Sequence, residues 1–139
     1  MDQIETKFFI PWALHRPALD NLKARARAGI GMRRVMLANG QHGLAYDAVN
    51  AQELFDAKTL EEAIELFCWR PVLDSAGNII DIEQACDKIC DSEALFAGLG
   101  PWVDAGGYIE MRGDDGDIWR WVFDGAECRK VIPRIIWDD

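Results

Sequence analysis

Two histidines, four cysteines, two serines and two threonines are the whole stock from which this 139-residue chain could draw a nucleophile or an imidazole base. Ser75 falls in an Asp-Ser-Ala-Gly turn and Ser92 at a helix start, so neither resembles an activated hydroxyl. His15 and His42 occupy a pre-helix and a turn position, and no residue near either completes a base–nucleophile arrangement. Residues distant in sequence can still converge. A pocket lined by Trp12, His15, His42 and Trp102 is the arrangement that would make a small-molecule or catalytic site. Glu61, Glu62 and Glu65 stand on the first turns of one helix, where carboxylates favour the positive end of the backbone dipole. These residue types point away from an enzyme and single out no catalytic residue.

Metal and cofactor chemistry has no better footing. Cys86 and Cys90 are spaced to share a helix face and could join Cys68 and Cys128 around zinc, but structural zinc sites use close pairs on turns. The four cysteines lie among apolar residues and read as buried, reduced thiols. Counting a calcium loop from Asp74 puts Ala76 at position three and Ile79 at the position that needs glycine. Asp114 to Asp117 is accounted for by hairpin-turn chemistry. Gly29-Ile30-Gly31 follows a helix and lacks the remaining residues of either phosphate-binding motif. No cofactor is expected.

Charge is the feature that speaks of partners. The chain carries 24 acidic and 15 basic side chains, a formal charge of -9. The charge is not spread evenly. His15 to Arg34 holds Arg16, Lys23, Arg25, Arg27, Arg33 and Arg34 against Asp20 alone, whereas Asp47 to Glu93 holds 12 acids against three bases. Two surfaces of opposite sign suit electrostatic steering of a protein partner. Arg25, Arg27, Arg33 and Arg34 on one side, and Glu61, Glu62 and Glu65 on the other, are the expected contact residues. The basic 16–34 segment also admits a nucleic-acid alternative. Six tryptophans favour an aromatic group at an interface, with Trp12, Trp102 and Trp137 as candidates, and leave a homodimer open. No run approaches the roughly 18 apolar residues of a membrane helix, and no secretory signal is visible, so a soluble cytoplasmic protein is expected.

The elements that must position these residues follow from periodicity and turn chemistry. Pro17 to Ala28 reads as a helix closed by Gly29, and Met32 to Leu37 as a strand before the Asn39–Gly43 turn. Three helix starts pair an oxygen-bearing cap with Glu or Gln three residues on: Asn50 with Glu53, Thr59 with Glu62, and Asp81 with Gln84. They predict helices over Ala51–Ala57, Leu60–Trp69 and Ile82–Cys90, with a shorter one over Glu93–Ala97. Pro71 to Ile80 reads as two short strands.

Tyr108–Arg112, Ile118–Phe123 and Glu127–Ile136 form a predicted meander, with Pro133 confined to an edge or ending the last strand. The Gly-Asp-Asp-Gly turn sets Met111 opposite Trp119, Ile109 opposite Trp121 and Glu110 opposite Arg120. Trp119, Trp121 and Phe123 then share one face, read as core rather than as a stacking platform for bases. The fold expected is α+β: one domain of short capped helices packed on an antiparallel sheet. The function expected is a non-catalytic accessory, inhibitor or immunity-type protein that masks a partner's surface.

Overall fold

A computed structural model describes residues 2–86 and 91–138. Its architecture is α+β. A four-stranded antiparallel sheet runs in the order β1 (Asp2–Lys7), β6 (Tyr108–Arg112), β7 (Ile118–Phe123) and β8 (Cys128–Val131). Two separate hairpins are made by β2 (Arg33–Met36) with β3 (His42–Ala45), and by β4 (Trp69–Leu73) with β5 (Ile79–Gln84). The helices among the described residues are α1 (His15–Arg27), α2 (Ala51–Asp56), α3 (Leu60–Leu66) and α4 (Ser92–Leu99), with short 3-10 turns at Trp12–Leu14 and Gly100–Trp102. Phe96 of α4 anchors the core, packing tilted or edge-on against Trp69, Trp121 and Phe123.

The C-terminal meander has the register that its turn demands. Met111 faces Trp119, Ile109 faces Trp121 and Glu110 faces Arg120, and the Gly113 N–H closes the turn on the Asp117 carbonyl at 2.7 Å. Trp121 and Phe123 are buried and Trp119 is partly buried, with the Lys130 ammonium 5.0 Å from the Trp119 ring. On the other face Arg120 donates to Glu110 at 2.8 Å and lies over the Tyr108 ring. The third strand is shorter than expected. It stops at Val131, because Pro133 has no N–H to donate to the ladder.

Local signals set the helix ends. Asn50 Oδ1 accepts from the N–H groups of Gln52 and Glu53, and Thr59 Oγ1 accepts from the Glu62 N–H while the Glu62 carboxylate accepts from that of Lys58. At the end of α1 the Ile30 N–H reaches the Arg25 carbonyl and the Gly29 N–H reaches that of Ala26. Gly29 takes the left-handed conformation this closure requires.

The cap signature at Asp81 does not open a helix. Asp81 lies inside β5, where its carboxylate accepts from the Ile82 N–H. Gln84, its expected partner, instead exchanges two backbone-to-side-chain bonds with Gln3. Ile79, Ile80 and Ile82 suit a strand, and pairing with β4 decides the matter. Cys86 lies past the end of β5 and not on a helix begun at Ile82, and residues 87–90, Cys90 among them, lie outside the described residues.

β1 was not foreshadowed. Its sequence, Asp-Gln-Ile-Glu-Thr-Lys, lacks apolar alternation, and the strand forms through backbone pairing with β6 and the Gln3–Gln84 link to β5.

Candidate functional site

The chain leaving β1 buries Phe8 and Ile10, forms an isolated bridge between Ile10 and Ile79, and then exposes Trp12. Trp12 remains 65% accessible, yet it is firmly placed. Its backbone N–H donates to Asn78 Oδ1 at 2.8 Å. Its ring lies so close over the β4–β5 turn that a Cβ on Gly77 would come within 2.8 Å of it. The turn itself is tied by Asp74, whose carboxylate accepts from the backbone N–H groups of Ala76 and Asn78 and from the Asn78 side chain. That side-chain bond, helped by the backbone ones and opposed by desolvation, holds the Asp74 carboxyl below its ordinary range. An exposed aromatic thus lies against a turn closed by hydrogen bonds.

Beside Trp12 opens a cleft of about 250 Å³, bounded also by His15, Arg16, Leu19, Lys58 and Glu61. His15 comes from the first turn of α1 and is nearly buried. Its Nε2 lies 3.2 Å from the Ile10 carbonyl and its Nδ1 lies 3.3 Å from Glu61 Oε1. Both ring nitrogens therefore lie against protein acceptors, and neither is aimed at open space in the cleft. The ring acts as a strut that orients the Glu61 carboxylate at the cleft wall. Thr59, the hydroxyl in the lining, is occupied in capping α3.

The structure brings Trp12, His15 and Glu61 together and leaves the other proposed pocket residues elsewhere. His42 stands exposed on β3, and Trp102 sits partly buried against the core after α4. Neither borders the cleft. Of the acidic trio on α3, Glu61 faces the cleft, Glu62 caps its own helix, and Glu65 points to solvent. Lys58 and Arg16, which sequence reasoning did not connect with this site, also line it. The i, i+4 pairing of Arg16 with Asp20 was readable from spacing, but nothing local placed Lys58 there.

The basic segment is largely engaged with the protein. Arg33 pairs with Asp47, the Arg27 guanidinium lies 5.2 Å from the Phe55 ring, and Lys23 donates to the Ala57 carbonyl. Arg25 lies on the side of α1 that faces Gly98 and Tyr46, and Arg34 is exposed on β2.

Cys68, Cys86 and Cys128 are half-buried rather than fully enclosed. Burial pushes the Cys128 thiol up to about 12, which leaves it protonated and unreactive near neutrality. No group of three or more His, Cys, Asp or Glu residues among those described is disposed to hold a metal ion. Likewise, no described helix is long and apolar enough to cross a membrane. Comparison with family models, curated proteins and solved structures found no match to this chain.

Proposed function

We propose that the protein is a non-catalytic binding protein, of the accessory, inhibitor or immunity type. It masks a basic surface of a partner protein through Trp12 and the adjoining acidic α2–α3 face. The observation that carries this reading is the placement of Trp12: a residue 65% exposed whose backbone N–H is held by Asn78 Oδ1 and whose ring lies against the Gly77 turn. A preorganised tryptophan loses little side-chain freedom on docking, which is the property of an interface anchor. Glu53, Asp56, Glu62 and Glu65 are exposed on α2 and α3 and supply complementary charge for a basic partner. The inward commitment of both His15 nitrogens favours binding over acid–base catalysis. The local contacts of Arg27 with Phe55 and of Arg33 with Asp47 likewise favour a protein partner over nucleic acid.

Affinity capture from a native extract at physiological salt tests the reading, comparing the wild type with Trp12→Ala and with Glu62→Lys/Glu65→Lys. A specific protein retained by the wild type should be lost with both variants, while their melting temperatures stay close to the wild type's. Retention that ignores Trp12, or a captured species that is nucleic acid, would refute it.

A further inference from the structure

Past β8 the chain continues as Ile132-Pro133-Arg134-Ile135-Ile136-Trp137-Asp138 without regular structure. Ile132 and Pro133 border a groove beside Ile118 and Trp119. Beyond them Ile135, Ile136 and Trp137 are 82%, 79% and 86% accessible. Large apolar side chains exposed in a contiguous run mark an interaction segment. Here they flank a single arginine and are followed by an aspartate.

This segment complements the Trp12 cleft in kind. The cleft offers the Trp12 side chain, the apolar walls of Leu19 and Leu60, and Glu61, with Arg16 and Lys58 also in its lining. Arg134 suits the ring and Glu61, through cation–π attraction and an ion pair. Asp138 suits Lys58 and Arg16, and the isoleucines suit the apolar walls.

We propose that residues 132–138 of one copy of this chain occupy the Trp12 cleft of a second copy, with Arg134 seated between the Trp12 ring and the Glu61 carboxylate. The inference rests on the reading of that cleft as a protein-docking site.

Register explains why the contact forms between copies. Lys7 pairs with Tyr108, Tyr108 with Val122, and Val122 with Arg129. Glu5 pairs with Glu110, Glu110 with Arg120, and Arg120 with Val131. β8 thus runs opposite to β1. The chain reaches Trp12 from the Lys7 end of the sheet, and the 132–138 segment departs toward the other end. None of residues 132–138 borders the cleft of its own chain, and to fill it the segment would have to reverse direction and recross the sheet. Direct β8-to-β8 pairing is disfavoured by the exposed Arg129 and Lys130 on that edge. The contact is therefore head-to-tail, between two different surfaces.

That asymmetry gives a complementation experiment. Sedimentation velocity on purified wild-type protein should show the average mass rising with concentration. Arg134→Glu/Ile136→Ser, with an intact cleft, and Trp12→Ala, with an intact tail, should each associate about thirtyfold more weakly, as truncation of an interface anchor does. Mixed together, the two variants should form a one-to-one dimer, since each supplies the half the other lacks. Glu61→Gln serves as a second cleft variant should Trp12→Ala melt early. A wild type that stays monomeric at every concentration overturns the proposal, as do variants that self-associate like the wild type or a mixture that gains nothing. A monomeric wild type that still captures a foreign protein through Trp12 removes self-docking alone. Loss of both removes the docking site itself.

Discussion

Hairpins β2–β3 and β4–β5 have the same local recipe: a short strand holding an arginine and a few apolar residues, a turn with a left-handed glycine and a side-chain amide or carboxylate, and a second short strand. Their fates differ. In β4–β5 the residues Trp69, Ile79 and Ile82 are buried, the Trp69 indole donates to Ser92 Oγ at 3.0 Å, and the turn clamps Trp12. In β2–β3 Met36 and Leu44 are 65% and 54% accessible, Leu44 lies over Gly29 at the end of α1, and Arg33 pairs with Asp47 at the hairpin's own base. A hairpin becomes a platform only when another part of the chain packs against it, as two strands alone bury too little.

The contrast is broken most strongly in the strands. Trp69→Ala should destabilise the protein by about 3–5 kcal/mol, since it empties a core site beside Phe96 and strands the Ser92 hydroxyl. Met36→Ala should change stability by no more than about 0.5 kcal/mol. Urea unfolding of the two variants measures the difference, and equal losses would mean that β2–β3 is as integral to the core as β4–β5.

The turns give a smaller effect. Gly40 and Gly77 both have positive φ, 81° and 85°, but a Cβ meets nothing within 4 Å at Gly40 and meets Trp12 at Gly77. Gly40→Ala should cost about 1 kcal/mol, for conformation alone. Gly77→Ala should cost more and should speed hydrogen exchange at the Trp12 amide, because the ring must shift. Identical melting temperatures for the two would sever Trp12 from the turn.

The smallest difference is electrostatic. Asp74, chiefly through its bond from the Asn78 side chain, has a carboxyl held below its ordinary 3.8. Its contribution is therefore present above that value and fades as pH falls through the lower folded-state value. The β2–β3 turn uses Asn39, which accepts from the Gln41 N–H and does not titrate. Asp74→Ala should flatten the acid limb of the pH–stability profile, and Asn39→Ala should leave its shape intact.

How much of this was legible depended on the range of the interaction. The β6–β7 register was readable because turn type and alternation concern neighbours only, and Asn50 and Thr59 cap for the same reason. Asp81 misled because its local signature competes with a distant one: β4 and Gln3 offer Ile79–Gln84 more pairing than an isolated helical turn would. β1 was invisible because a polar strand is defined by its partner. In the site, Glu61 was noticed for its position on a helix. Its link to His15 spans 46 residues and leaves no trace in spacing.

Sequence alone determined the polarised charge, the meander and two helix caps, since each is fixed by residue type, bond geometry or backbone chemistry within a few residues. The tertiary structure alone decided which hairpin became a platform, that Trp12 is exposed yet seated against the β4–β5 turn, and that His15 turns inward to hold Glu61. Those outcomes depend on which buried surfaces meet, and packing of that kind is a property of the whole chain.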